Sequence, residues 1–212
     1  MHVCGEGLFR GSLTVGDQNQ LLYLQRFVPE VNGSILEVGS KDYGNTVPFR
    51  KHIRHAEYVG LDMAAGPGVD VVGDLSQDLC GLEQERFSLI ICCSVLEHVA
   101  RPWLMARNIV RLTKPGGRVY MSVPWVWRYH PYPDDYFRFS WRGIESLFDD
   151  LVWEHRYYST NVSGELVEIT DAQKDWDNRM AQYAEVGPGA NRKYLPYLMV
   201  NMLGRKPQQP TR

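Results

Sequence analysis

The chain has 212 residues, 44% of them hydrophobic and 23% charged, with 23 basic against 25 acidic side chains and a formal net charge of −2. That size fits one domain, with or without a short appendage, and is enough to bury a full sheet with helices on both faces. With no basic excess to neutralise a run of phosphates, composition argues against a nucleic-acid partner.

In chain order, the first periodic segment runs from Asp17, a suitable helix cap, to about Val28. Leu21, Leu22, Leu24 and Val28 make its apolar stripe and Pro29 follows its end, so a helix is predicted. Residues 34–39 are a short apolar run meeting a glycine, which predicts a buried strand closing in a turn. A helical stretch is expected near residues 46–53. Residues 58–62 and 69–74 are predicted strands, each ending on an acid, and residues 87–94 form the fourth and most apolar strand. Pro102 suits the first position of a helix reaching about Leu112. Lys114-Pro115-Gly116-Gly117 is a predicted turn and 118–123 the fifth strand. Residues 141–148 are expected as helix, 151–158 as a sixth strand, 172–183 as an inserted helix and 197–203 as the last strand.

Strands alternating with helices predict an α/β fold. The expected architecture is Rossmann-like and doubly wound, a mainly parallel seven-stranded sheet with helices on both faces. No repeat or low-complexity linker divides the chain, so residues 1–212 are expected to form one domain, with a cap or insertion at about 159–196.

Cys92 and Cys93 are adjacent in an apolar run, Cys4 and Cys80 stand alone, and no CxxC pair occurs. They read as buried small hydrophobes in a reducing, cytoplasmic setting, not as a disulfide framework or zinc site. Residues 1–16 hold no apolar run suited to a signal peptide, and no stretch approaches the ~20 apolar residues of a membrane span. The sequon Asn161-Val162-Ser163 is read as chance. No feature sets the oligomeric state.

In such a sheet, ligands sit outside the carboxyl ends of the strands, at the point where the winding reverses. After the first strand comes Glu37-Val38-Gly39-Ser40-Lys41-Asp42-Tyr43-Gly44-Asn45. Gly39 lets the backbone approach a ligand, and exposed amides at the turn would favour a carboxylate or phosphate. A tight turn with no ligand fits equally well. The spacing is not G-x-G-x-x-G, which counts against a dehydrogenase. Asp62, after the second strand, can accept from both ribose hydroxyls or be a solvated strand-end carboxylate. Asp74, followed by Leu75, suits the amine and face of an adenine, or else a helix cap. Glycine loop, acid and acid at successive strand ends are together what an adenosine site needs.

Ile35-Leu36-Glu37-Val38-Gly39, Val59-Gly60-Leu61-Asp62, Gly73-Asp74-Leu75, Ser94-Val95-Leu96-Glu97-His98 and Leu112-Thr113-Lys114-Pro115-Gly116-Gly117 resemble, in order, the motifs of class I S-adenosylmethionine-dependent methyltransferases. The Leu-Glu-His and Lys-Pro-Gly-Gly elements are typical of a large, functionally mixed subgroup. The resemblance covers about residues 34–123 and reaches 148 more loosely. It implies S-adenosylmethionine as methyl donor, with Glu37 and Gly39, next to Ser40, lining its methionine end. Asp62 would hold the ribose, Met63 would pack on adenine, Asp74 with Leu75 would bind the adenine edge, and Ser94 would sit near the amino-acid portion. The first loop departs from the family: Ser40 and Asp42-Tyr43-Gly44 stand where a denser glycine pattern is usual.

The segment 129–140, after the fifth strand, joins a histidine, two acids, an arginine and several rings. Tyr129, Tyr132, Tyr136 and Arg138 are candidate substrate contacts, while His130, Asp134 and Asp135 can accept a hydroxyl proton. The alternative is an aromatic loop packed as a lid. A similar His-Pro-Tyr-Pro-Asp-Asp-Tyr element occurs in a subgroup of these methyltransferases associated with glycan and surface-polysaccharide assembly. The expected function is therefore O-methylation of a small-molecule or glycan acceptor, a sugar hydroxyl first. His130 or one of the aspartates would be the base and His98 its competitor. Glu97 reads as structural. A divalent metal held by Asp134, Asp135 and His130 is the less favoured alternative, because adjacent aspartates point in different directions, so no metal ligand is assigned. The competing readings are a small-molecule O- or N-methyltransferase of secondary metabolism and a non-catalytic cofactor-binding module.

Overall fold

A computed structural model of the chain describes residues 14–44, 46–131, 133–170 and 197–208. The elements are α1 (Val15–Phe27), β1 (Glu30–Val38), α2 (Phe49–His52), β2 (Arg54–Asp62), β3 (Val71–Val72) and β4 (Phe87–Cys93). A 3-10 turn (Leu96–His98), α3 (Pro102–Leu112), β5 (Thr113–Val126), α4 (Trp141–Leu147), β6 (Val152–Ser159), β7 (Leu166–Glu168) and β8 (Leu198–Arg205) follow. The strands form one sheet in the order β3-β2-β1-β4-β5-β8-β6-β7. The pairings from β3 to β5 are parallel, whereas β8 runs antiparallel to both β5 and β6.

Neighbouring residues of the central strands enter opposite cores, the period-two alternation of a strand covered on both faces. Leu36, Ile90 and Val119 pack with Ile109 of α3 and Ile144 of α4. Ile35, Leu89 and Ile91 pack with Leu21 and Leu24 of α1 and Phe49 of α2. Each fully buried leucine or isoleucine contributes roughly 1.5–3 kcal/mol over an exposed one. At the antiparallel end, a buried polar chain ties three strands. Tyr120 Oη donates to Asn201 Oδ1 at 2.9 Å, and Asn201 Nδ2 donates to Ser159 Oγ at 2.9 Å.

The structure refines the sequence reading in three places. Thr14, not Asp17, caps α1: its hydroxyl accepts from the Asp17 amide at 3.2 Å, and Asp17 sits in the first turn. Among the described residues the sheet has eight strands, not the expected seven, because β7, three residues in the region expected as cap or insertion, pairs with β6 at the edge. The turn expected at 114–117 is absorbed into an irregular start of β5, where Gly116 takes φ +75°. The helix expected at 172–183 lies outside the described residues. No helix among the described residues is long and apolar enough to cross a membrane.

Candidate active site

The winding reverses between β1 and β4, so their carboxyl ends diverge into different loops and leave a crevice. A cavity of about 500 Å³ opens there, within the roughly 300–1,000 Å³ of small-molecule sites. Glu37, Val38 and Gly39 from β1, with Ile91, Cys93 and Ser94 from β4, form its floor. Asp17 and Gln20 of α1 close one side, Lys41 and Tyr43 another, and residues 128–131 form the rim.

Two strained turns shape the floor. Gly39 lies at φ +78°, and a Cβ there would meet Val95 Cγ2 at 2.4 Å, so glycine is required by both backbone and space. Ser94 takes φ +54° without being glycine. Its amide donates to the Ser122 carbonyl at 2.8 Å, and Gln20 Nε2 donates to both Ser94 Oγ (3.2 Å) and Ser122 Oγ (3.1 Å). A left-handed non-glycine residue carries roughly 1–3 kcal/mol of strain, and these bonds from α1 and β5 hold it in place.

Glu37 is half-buried at the end of β1. Tyr58 Oη donates to its Oε2 at 2.6 Å, and burial, opposed by that bond, pushes its carboxyl up to about 7. The first loop is closed in on itself. The amides of Gly39 and Ser40 donate to the Leu61 carbonyl, Lys41 N to Asp62 Oδ2 at 3.2 Å and Asp42 N to the Pro67 carbonyl. The expected row of exposed amides for a carboxylate is therefore absent from residues 39–42. Ser40 turns away from the cavity as well. It is buried against Gly60, where a Cβ would meet Ser40 Oγ at 2.7 Å, and its hydroxyl has no hydrogen-bond partner among the described residues.

Asp62, Met63, Asp74 and Leu75 lie beyond the cavity lining, at and after the ends of β2 and β3. Asp62 accepts from the Lys41 and Ala64 amides, which leaves lone pairs over for a ligand. Met63 is 62% exposed. Asp74 folds an Asx turn, accepting from Ser76 N at 2.8 Å and Ser76 Oγ at 2.9 Å. The Leu75 side chain is wholly inside the core, so only its backbone is left for an adenine edge.

The segment after β5 arranges its charges differently from expectation. Asp135 is a buried anchor: both its oxygens pair with Arg138, Nη1 at 2.5 Å and Nη2 at 2.7 Å, and Oδ2 also accepts the His130 amide at 2.8 Å. Arg138 holds its carboxyl well below the usual carboxylate range. A carboxylate so held is a weak base and does not face the cavity. Arg138 in turn donates from Nε to the Trp127 carbonyl, from Nη1 also to Phe137 O and from Nη2 also to Arg128 O. All five N–H donors of a guanidinium are thereby engaged, so the expected substrate contact through Arg138 is corrected to a loop staple. Asp134 accepts from Tyr136 Oη at 3.0 Å through its side chain. Tyr129 lines the cavity and is 67% exposed. Tyr136 is exposed but outside the lining, and Tyr132 lies outside the described residues.

His98 and His130 do meet at the cavity. Their ring centroids are 4.9 Å apart, edge to face. His98 Nδ1 donates to the Asp134 carbonyl at 2.6 Å, which leaves Nε2 as the basic nitrogen. Burial holds this imidazole below its ordinary range. Sequence reasoning missed Asp17, Gln20, Lys41, Tyr43 and Arg128 as lining residues. Gln20 had one faint signal, a polar side chain beside the apolar stripe of α1.

A methyltransferase domain family matches residues 19–183 of this chain. The chain belongs to the class I S-adenosylmethionine-dependent methyltransferases. S-adenosylmethionine is accordingly the cofactor of this methyltransferase, and the cavity, with Gly39 and the half-buried Glu37 in its lining, fits such a ligand. The ubiquinone biosynthesis O-methyltransferase of Ralstonia nicotianae is 36% identical to it over 74 residues, 35% of this chain and 30% of that protein. Its counterpart in Pseudomonas syringae pv. tomato is 28% identical over 102 residues, 42% of this chain and 43% of that protein. The chain thus spans less than half the length of these curated relatives. Among the solved structures that share the fold are two methyltransferases. One is an S-adenosylmethionine-dependent methyltransferase of Archaeoglobus fulgidus (TM-score 0.58, 12% identity, 89% of this chain and 94% of that one). The other is the 1,6-didemethyltoxoflavin N1-methyltransferase of Burkholderia thailandensis, solved with its substrate and S-adenosylhomocysteine (TM-score 0.58, 13% identity, 91% and 79%).

Proposed function

We propose that this methyltransferase places the methyl group on a hydroxyl oxygen of a small acceptor seated at the rim of the cavity, with a sugar or glycan hydroxyl as the first candidate. The observation that carries this is the pair of imidazoles at the rim: His98, its Nδ1 fixed by the Asp134 carbonyl, faces His130 within the same cavity. A hydroxyl is a poor nucleophile until its proton is drawn off, and an imidazole nitrogen beside the acceptor eases that step. Asp135 is left out of this role because Arg138 neutralises it, and Asp134 because its carboxylate bonds Tyr136.

S-adenosylmethionine supplies a methyl group activated by its sulfonium. Glu37, Gly39 and Ser94 would hold its amino-acid end, Asp62 its ribose, and Asp74, the Leu75 backbone and Met63 its adenine. Ser40 is buried behind this surface and supports the loop without contact. Lys41, Tyr43, Arg128 and Tyr129 line the same cavity and would frame the acceptor, and the two exposed tyrosines offer flat apolar cover for a sugar face. Closing the acceptor between them supplies alignment, the main contribution a protein makes to such a transfer.

A second reading, a phenolic small molecule, is supported by the names of the curated relatives, which methylate oxygen in ubiquinone biosynthesis. An acceptor panel of glycosides, catechols and heterocyclic amines, assayed for transfer of labelled methyl, separates these. Glycosides are expected to react best. Transfer to catechols alone would select the second reading, and transfer only to amines would reject oxygen as the accepting atom.

A further inference from the structure

Glu97 occupies an unusual position in the 3-10 turn after β4. It is 1% exposed, and neither carboxylate oxygen has a hydrogen-bond partner among the described residues. A buried acid with nothing to bond is costly unless something compensates it, and burial pushes this carboxyl up to about 8. One oxygen of Glu97, one ring nitrogen of His98 and one of His130 all lie within 4.8 Å of one another.

The two imidazoles, though edge to face, are tied in the same way. His98 Nδ1 faces the Asp134 carbonyl at 2.6 Å, while His130 Nδ1 faces the Arg128 carbonyl and Asp135 Oδ2, each at 3.2 Å. With both Nδ1 edges turned to oxygen acceptors, the protons reside there and each Nε2 keeps a lone pair. An imidazole that donates from one nitrogen to a carbonyl or carboxylate, with the other left bare, is the arrangement found behind metal-binding histidines.

We propose that Glu97, His98 and His130 form a binding site for a divalent transition metal of the zinc class, through one Glu97 oxygen and the two Nε2 atoms. Two imidazoles and a carboxylate match the donor set of Zn²⁺ and its neighbours and not that of Mg²⁺, which prefers oxygen and keeps its water. Ligands around such an ion stand roughly 3–3.5 Å apart. The three groups must therefore close by about an ångström, which rotation of His130, on the half-buried rim, can provide. His98 and His130 both line the cavity, so the remaining coordination positions face it. Three protein ligands with an open side describe a catalytic, not a structural, site. This set differs from the Asp134, Asp135 and His130 grouping suggested by sequence, since both aspartate carboxylates are engaged elsewhere. Within the hydroxyl-transfer reading, on which only this last point rests, the ion would take over the role given to the imidazoles, whose Nε2 lone pairs it would occupy: it would bind the acceptor oxygen and ease loss of its proton to solvent.

The test is calorimetric titration of Zn²⁺ alone, then Mg²⁺ alone, into the chelator-stripped chain without cofactor or acceptor. The expected result is one Zn²⁺ equivalent bound with a Kd of roughly micromolar or below and far weaker Mg²⁺. Glu97→Gln and His130→Ala should each weaken Zn²⁺ by at least about tenfold, with unchanged circular dichroism. His130 lies on the rim, so its variant stays informative if the Glu97 variant unfolds. Co²⁺ in place of Zn²⁺ should give a visible ligand-field band that Zn²⁺ abolishes. No Zn²⁺ binding by the intact chain, or binding that both folded variants retain in full, would overturn the proposal. Methyl transfer to a hydroxyl by a chain that binds no Zn²⁺ would overturn the metal and keep the transferase reading. Zn²⁺ bound through these residues without transfer to any hydroxyl would keep the metal and reject the acceptor.

Discussion

Asp135 and Arg138 meet through two parallel contacts, Oδ1 to Nη1 at 2.5 Å and Oδ2 to Nη2 at 2.7 Å, with the carboxylate 1% exposed. Three residues apart in the chain, they fold the segment after β5 back on itself and bring the amide of His130 to the same carboxylate. Asp135→Ala should therefore leave the guanidinium partly buried without its partner and cost about 2–4 kcal/mol of stability. Denaturant melts measure the loss. Cofactor affinity should change little, while acceptor turnover falls by at least about tenfold because the rim loses its shape. The partner group also fixes an acid limit. Arg138 lowers the Asp135 pKa in the folded chain, so the pair's full contribution is present above the ordinary carboxylate value near 3.9. It is lost only as pH falls through the lower, folded value. Between pH 5 and 8 the clamp should not titrate.

Glu37 behaves in the opposite sense. Burial raises its carboxyl to about 7 in the folded chain, from 4.5. As pH rises from the unfolded value through 7, the folded state gains a charge it holds poorly, so this residue's stability contribution declines over that window. A cationic amino group or sulfonium beside Glu37 favours the ionised form. S-adenosylmethionine affinity should therefore rise about tenfold from pH 6 to pH 8, following ionisation of a group near 7. Glu37→Gln should flatten that profile. A wild-type affinity independent of pH over this range would remove Glu37 from the cofactor site.

Gly39→Ala introduces a Cβ at φ +78° and 2.4 Å from Val95 Cγ2. Strain and overpacking together should cost roughly 2–4 kcal/mol and narrow the cavity floor. Thermal melts with and without cofactor check both effects, since a variant whose floor is blocked gains little Tm from added S-adenosylmethionine.

Gln20→Ala should release Ser94 from its tie to Ser122. Losing one buried and one part-buried hydrogen bond costs about 1–3 kcal/mol. If the strained turn at Ser94 relaxes, cofactor Kd rises as well. A variant that is destabilised but binds normally would show that Gln20 serves the fold alone.

The fold was readable in the sequence because its cues are local. Ile35, Leu36 and Val38 before Gly39, and the unbroken apolar run ending at Cys93, mark strands buried on both faces by composition and length. Strand β7 was not readable: three residues, Leu166 to Glu168, are too few for an alternation to register. Gly39, Glu37, Ser94, His98 and His130 converge at the cavity because each closes or follows a central strand, which is where the topology collects side chains. Arg138 and Asp135 defeated sequence reasoning for a different reason. Their types suit substrate contact and proton transfer, but their spacing lets them neutralise each other, and only side-chain geometry distinguishes the two outcomes. Ser40 likewise turns inward because Gly60, remote in sequence, leaves space for it.

The central claim, that the crevice between β1 and β4 holds S-adenosylmethionine, is tested most directly by calorimetric titration of S-adenosylmethionine into the wild-type chain and Gly39→Ala, with NAD as the control ligand. The account predicts one saturable site for S-adenosylmethionine in the wild-type chain, markedly weakened in the variant, and no binding of NAD. A folded wild-type chain that ignores S-adenosylmethionine, or a variant that binds it with undiminished affinity, would contradict it.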